Sequence, residues 1–316
     1  MAMRSPTSDY AVAAREQTLG ATKEDYQYCR QIMRRASKNY SFASSFLPKE
    51  KLHHVEALYA FLRVGDDRVD ISHAGFSSPL QAIDDWERAY WRAFETGISP
   101  SGVLRAYLNT AIECQIPPEM MSAYFRAMKE DLTITRYETF TDLLHYIEGS
   151  AMTVGCGMTH IMGILPAYTF AEVLPYADAL AIAMQLSNFW RDIAEDWALG
   201  RVYLPREDMQ RFRVSDADLA ARRVTPHFIE LLEFEIQRTE NYYRQARLGI
   251  PALAAGQWGV LSGLEIYSSI LSSIRRNHYQ VFNHRCGPDK SGKLEWVAKA
   301  WWSTRNLSQH SSQAAS

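Results

Sequence analysis

The sequence predicts an all-α protein built as a single domain. Three observations predict it. Apolar residues recur at helical spacing along nearly the whole chain, with almost no strand-like alternation. Proline and glycine punctuation is sparse. Two mainly apolar helical stretches each carry an aspartate pair spaced as DxxxD. The chain has 316 residues, 47% hydrophobic and 22% charged, an ordinary globular balance and enough length for a sizeable core. Residues 1–20 are polar and aperiodic and read as a disordered tail, as do the Ser-, Gln- and Ala-rich residues 305–316. The folded domain is expected over residues 21–304.

The elements follow in order. A first helical region ends before Pro48. The first acidic helix is expected between Lys51 and Ile71. Gly75, Pro79, Gly97, Pro100 and Gly102 mark loops, and Pro117 and Pro118 precede a helix in which Met121, Phe125 and Met128 recur at helical spacing. Pro166 and Pro175 mark further breaks, and the second acidic helix is expected over about Asp178–Ala198.

Composition excludes several function classes. Net charge is −2, from 34 basic and 36 acidic residues, which argues against a general nucleic-acid binder. Arg34–Arg35, Arg222–Arg223 and Arg275–Arg276 read as solvated helix surface. Cys29, Cys114, Cys156 and Cys286 stand far apart with no CxxC pair, so their spacing argues against a zinc or redox site. The N-terminus lacks the apolar run of a signal peptide, and the most apolar stretch, residues 153–168, is too short and mixed to span a membrane. A cytoplasmic location is the expectation.

On the first acidic helix, Tyr59, Arg63, Asp66 and Asp70 are spaced four, three and four apart and share one face, with Asp67 beside them. On the second, Gln185, Asn188, Asp192 and Asp196 are spaced three, four and four and form another polar stripe, flanked by Arg191 and Glu195. A solvated surface helix also needs a polar face. Such faces usually alternate Glu with Lys, whereas carboxylates repeated at i, i+4 repel. A cation reverses that sign. Mg²⁺ favours oxygen ligands and binds through a few carboxylates plus substrate phosphates. Two facing stripes could supply that shell, with Arg63, Arg191 and Arg201 as donors to a diphosphate.

The sequence resembles the squalene/phytoene synthase family, and is most like the bacterial phytoene synthases, over about residues 24–300. The segments that carry the resemblance are CRQIMRRASKNYSFASSFLP (29–48), ALYAFLRVGDDRVD (57–70), YIEGSAMTVG (146–155), QLSNFWRDIAEDWALGRVYLP (185–205), YYRQARLGIPAL (242–253) and IYSSILSSIRRNHYQVFNHR (266–285). The second aspartate motif with its GRVYLP tail is the most specific. The resemblance implies an isoprenoid synthase-type helical bundle around a central substrate cavity. It implies that Asp66, Asp70, Asp192 and Asp196 hold Mg²⁺, assisted by Asn188. Mn²⁺ is an expected substitute. Lys38, Tyr59, Arg63, Arg191, Tyr267 and Arg285 would contact diphosphates, and Gln185 and Tyr203 would line the reaction centre. The chain departs from the family at Ala36, where many members have His, at Asn39, where they have Ser or Thr, and at Glu148, where they have Tyr.

The implied reaction joins two prenyl diphosphates head to head, with two geranylgeranyl diphosphates giving phytoene at the entry to carotenoid biosynthesis. Dehydrosqualene or presqualene diphosphate formation from farnesyl diphosphate is the nearest alternative. A terpene cyclase and a catalytically inactive scaffold relative are more distant ones. Gly155-Cys156-Gly157 lacks the preceding strand and third glycine of a dinucleotide fingerprint, so no NADPH is expected. Phe42, Ala43, Phe46, Leu62, Met152, Val154, Gly155 and Met184 are candidates for a tunnel wall, with ordinary core packing as their other reading. Peripheral contact with a membrane is a further expectation, and the oligomeric state is left open.

Overall fold

Short polar caps set where the helices begin. Ser78 accepts from the Gln81 N–H ahead of Pro79, and Ser101 accepts from Leu104. Thr139 with Asp142, Thr169 with Glu172 and Ser215 with Asp218 form reciprocal capping boxes. The computed structural model describes residues 20–36, 41, 44–70, 75–283, 286 and 287. It runs through α1 (Lys23–Ala36), α2 (Lys49–Asp70), α3 (Pro79–Thr96), α4 (Gly102–Glu113), α5 (Met120–Glu130) and α6 (Phe140–Ile147). A π-helical turn (Glu148–Met152) leads into α7 (Thr153–Met162). Then come α8 (Phe170–Arg191), α9 (Ile193–Ala198), α10 (Arg206–Arg211), α11 (Asp216–Ala220) and α12 (Pro226–Gly249). A 3₁₀ turn (Ile250–Ala252) precedes α13 (Gln257–Arg276). Among the described residues the only strand-like pairings are two isolated bridges, Arg136 with Val202 and Ile164 with Leu253. The all-α reading holds.

Two expected boundaries differ. Pro175 is not a break but lies inside α8, which starts at Phe170. A proline there leaves the Ala171 carbonyl without its helical donor, and Ala171 is exposed, where water can reach it. The second acidic helix is also divided: α8 ends at Arg191, Asp192 departs from helical geometry with φ −101° and ψ 16°, and α9 follows. The Asp192 N–H still donates to Asn188 O, and Asp196 N–H to Asp192 O, each at 2.9 Å, so the polar stripe keeps its line across the break. Pro79 and Gly102, expected in loops, are the first residues of α3 and α4.

Two helices form the centre. Around α2, Phe61 is fully buried and stacks on Tyr107 at 4.2 Å, with Trp86, Tyr124 and Phe125 further out, so α3, α4 and α5 close on α2 through aromatic rings. Around α8, α12 packs along its length; Trp190 Nε1 donates to Thr239 Oγ1 at 2.9 Å, and the Ser187 and Tyr243 hydroxyls meet at 2.8 Å. Between the two centres lies α7. A Cβ on Gly155 would meet Ala177 O at 3.0 Å on α8, and one on Gly157 would meet Leu58 at 2.9 Å on α2. Among the described residues no helix is long and apolar enough to cross a membrane.

The π-helical turn sits hard against α5. A Cβ on Gly149 would lie 2.2 Å from the Ala123 carbonyl oxygen and 2.6 Å from the Ala127 side chain. Backbone cannot yield as a side chain can, so Gly149→Ala is expected to cost about 1–3 kcal/mol or more. Urea unfolding of the purified variant measures it, and an unchanged midpoint would refute this account of the contact.

Candidate active site

One face of α2 carries Tyr59, Arg63, Asp66 and Asp70, and the C-terminal half of α8 carries Gln185, Asn188 and, at its cap, Asp192. Asp196 follows on α9. Charges from the two stripes act on each other through a shared group. Arg201, just past α9, places Nη2 2.9 Å from Asp131 Oδ2 and Nη1 3.5 Å from Asp70 Oδ1. Asp131 is buried at the end of α5 and also accepts from the Tyr203 hydroxyl at 3.3 Å. Tyr203 is itself buried, stacked on Phe189 at 3.9 Å with the planes 8° apart, and shares a small hollow with Asp196 and Arg201.

The carboxylates are crowded. Burial, opposed by Arg63 and reinforced by Asp70 and Asp67, pushes Asp66 up to about 7. Burial and the adjacent Asp192 push Asp196 up to about 7, against the pull of Arg201. Burial also raises Asp131, with Arg201 opposing. The arginines are each held by a carboxylate. Arg191 forks onto Asp192, with Nε 2.7 Å from Oδ1, and Arg63 pairs with Asp67 one turn on. This donor set, carboxylate oxygens plus the Asn188 amide, suits Mg²⁺, and carboxyls driven up by burial and mutual repulsion are those a divalent cation would relieve.

An apolar cavity of about 260 Å³ opens beside this polar end. Gln185, Asn188 and Tyr267 line it, and burial raises the Tyr267 hydroxyl, with Arg191 and Asp192 as its charged neighbours. From Asn188 the cavity follows α8 back to Val173, a run of about 22 Å at ~1.5 Å per residue. Small residues such as Ala151, Gly155, Ala177, Ala181, Ala246 and Gly263 open space among larger ones that include Leu47, Met158, Tyr176, Leu180 and Leu253. Val154, Gly155 and Met184 line it as the tunnel reading expects, whereas Phe46, Leu62 and Met152 are not in its wall. Leu62 is core, and Phe46 packs on Trp258 at 5.0 Å. Phe42, Ala43, Lys38, Asn39 and Arg285 lie outside the described residues, as do the tails at 1–19 and 288–316. Glu148, on the π-helical turn, faces Arg126 at 2.9 Å and His145 at 3.5 Å.

A sequence model of the squalene/phytoene synthases matches residues 33–291. The chain belongs to the squalene/phytoene synthase family. It is therefore a prenyltransferase-type enzyme. It is 31% identical over 290 residues to a 15-cis-phytoene synthase of Synechocystis, covering 89% of this chain and 86% of that one. It is 34% identical over 277 residues to a phytoene synthase of Arthrospira platensis, covering 84% and 89%. Its fold is similar to that of a dehydrosqualene synthase, with a TM-score of 0.82 and 25% identity over 96% of this chain and 100% of the other. It is also similar to squalene synthase HpnC from Alicyclobacillus acidocaldarius, with a TM-score of 0.74 and 28% identity over 83% and 98%. Asp131 and Tyr124 were not singled out from sequence. Asp131 follows Lys129 and Glu130 at a helix end, belongs to no spaced carboxylate pair, and nothing local signals that Arg201 will reach it.

Asp66 and Asp196, each raised to about 7, keep protons that the unfolded chain gives up above its ordinary carboxylate pKa. Their stabilising contribution is complete below the unfolded value and is lost as pH rises through about 7. A bound divalent cation competes with those protons. The rise in melting temperature on adding Mg²⁺ is therefore expected to be larger at about pH 8 than at about pH 6. Scanning fluorimetry at both pH values checks it; equal shifts would contradict the assignment.

Proposed function

We propose that this protein condenses two geranylgeranyl diphosphates head to head to phytoene, by way of prephytoene diphosphate, as the entry step of carotenoid biosynthesis. The observation that carries the reading is the continuity of the site. An apolar cavity, long along α8, begins at Gln185, Asn188 and Tyr267, one turn from Asp192, and Arg201 links the second aspartate segment to Asp70 of the first. The Synechocystis and Arthrospira relatives, both named as phytoene synthases, support the product.

In this reading Asp66, Asp70, Asp192 and Asp196, with Asn188, hold Mg²⁺, which neutralises charge growing on the departing diphosphate. Arg191, now on Asp192, and Arg201, now near Asp70, would be donors available to a diphosphate in competition with those carboxylates. Tyr59, Arg63 and Tyr267, with Lys38 and Arg285, orient the two diphosphates. The first C–O bond breaks and the allylic cation is captured by the double bond of the second chain. Loss of a proton closes the cyclopropane. The second C–O bond then ionises, the skeleton rearranges, and a second proton is lost. The balance is two prenyl diphosphates to one hydrocarbon, two diphosphates and two protons, so no reductant enters. Gln185, in the cavity wall, would stand beside the cation and the apolar wall would exclude water from it, whereas Tyr203, in the separate hollow with Asp196 and Arg201, would act from the diphosphate side.

A second reading rests on the likeness to a dehydrosqualene synthase. There the same steps use two farnesyl diphosphates. Purified protein, Mg²⁺ and each diphosphate in turn, with and without NADPH, followed by mass spectrometry of the lipid extract, separate the two. A C40 hydrocarbon without NADPH establishes the first reading, a C30 product or cyclopropyl diphosphate the second, and no product from either refutes both. Asp66→Asn or Asp192→Asn is expected to abolish turnover with helicity by circular dichroism intact; a near-normal rate would sink the metal assignment.

Gly263 offers a test of the cavity itself. Unlike Gly155, Gly249 and Gly259, a Cβ there meets nothing within 4 Å, so added bulk enters only the cavity. Gly263→Leu is expected to lower kcat/KM for geranylgeranyl diphosphate about 10-fold or more relative to farnesyl diphosphate, while leaving the melting temperature unchanged or higher. An unchanged ratio would show that the prenyl tails run elsewhere.

A further inference from the structure

The half of α2 remote from the aspartates carries a second set of ligating groups. His54 lies about 18 Å along the helix from Asp66 at ~1.5 Å per residue. His53 and His54 stand side by side there, and Glu113, the last residue of α4, faces them. One ligand atom from each residue lies within 4.8 Å of the other two. His54 Nε2 is 3.4 Å from Glu113 Oε2. Two ligands on one tetrahedral ion at bond lengths of ~2.0–2.1 Å stand about 3.4 Å apart. The imidazole rings face each other at 3.8 Å with a 38° tilt, so their planes converge.

The remaining atoms of the set are held from behind. His54 Nδ1 is 3.0 Å from Thr110 Oγ1, which leaves Nε2 as the outward nitrogen. Asn109 Nδ2 donates to Glu113 Oε1 at 2.8 Å and to the Tyr26 hydroxyl at 2.9 Å, which leaves Oε2 turned to the histidines. The Tyr26 ring meets His53 edge-on at 5.0 Å. The neighbouring Cys114 is not among the converging ligand atoms.

We propose that His53, His54 and Glu113 bind one borderline divalent transition ion of the Zn²⁺ type, with water as the fourth ligand, tying the start of α2 to the end of α4. Imidazole nitrogens favour such an ion over Mg²⁺, so the site and the aspartate stripes would fill with different metals. The cysteine spacing has no bearing on it.

The test uses the full chain, stripped with chelator and then dialysed against Zn²⁺ in excess Mg²⁺. The expected result is one zinc per chain, a raised melting temperature and, with Co²⁺ in place of Zn²⁺, the visible absorption of tetrahedral cobalt. His53→Asn and Glu113→Gln should each weaken zinc binding about 10-fold or more, with Mg²⁺-supported turnover of Glu113→Gln unchanged. Asp192→Asn should keep the zinc. Absence of bound zinc in the wild type, undiminished binding in both variants, or loss of zinc in Asp192→Asn would each overturn the proposal, the last by locating the ion on the acidic stripes.

Discussion

One guanidinium holds the acidic end of the bundle together. Arg201 lies between Asp131 and Asp70, and its charge is also felt by Asp196. Those three carboxylates belong to α2, the end of α5 and α9, elements brought together only by tertiary packing. The loop that presents Arg201 is fixed at several points. Arg201 N–H donates to Asp196 O at 2.8 Å, Val202 N–H to Thr135 O at 2.9 Å, and Arg136 Nη1 to Gly200 O at 2.6 Å. Arg201, Arg191 on Asp192 and Arg63 beside Asp66 do not together balance Asp66, Asp67, Asp70, Asp131, Asp192 and Asp196. Burial first, and then the remaining repulsion, drive Asp66 and Asp196 toward neutrality and make the site receptive to more positive charge.

Such crowding opposes folding, and the rest of α2 offsets it. The ring cluster on Phe61 buries α2 from three sides. Its nearest approach to the site is Tyr124, whose hydroxyl donates to Leu62 O at 2.7 Å. A Cβ on Gly65 would lie 2.0 Å from that hydroxyl, so the glycine beside Asp66 answers a packing demand and not a flexible joint. The apolar core and the acidic face thus meet at one residue, and the rigidity of the first fixes the position of the second.

Much of this was legible in the sequence because periodicity is local. The stripes on α2 and α8 follow from spacing alone, and the repeated carboxylates argue for a cation before any fold is known. What was not legible depends on contacts between distant segments. Asp131 has no partner within its own helix; Arg201 meets it from 70 residues away. Pro175 reads as a break until the exposure of Ala171 shows that water can satisfy the lost bond. Leu62 and Met184 are both apolar and helical, yet the first is packed against its neighbours and the second lines a cavity. Hydrophobicity does not distinguish a filled space from an empty one.

The cavity owes its place to α7. Gly155 and Gly157 are two residues apart, about 200° around a helix, and therefore face nearly opposite directions. Gly155 admits Ala177 and Ala181 of α8, and Gly157 admits Leu58 of α2. Without side chains at those points, α7 can lie between the two acidic helices and keep both close. Close approach of α7 on one side of α8 and of α12 on the other leaves a slot lined by their small residues, capped by α13. The Gly155-Cys156-Gly157 triplet, too incomplete for a nucleotide fingerprint, has its physical reason here. It lets one helix pack against both acidic helices and wall the cavity beside α8.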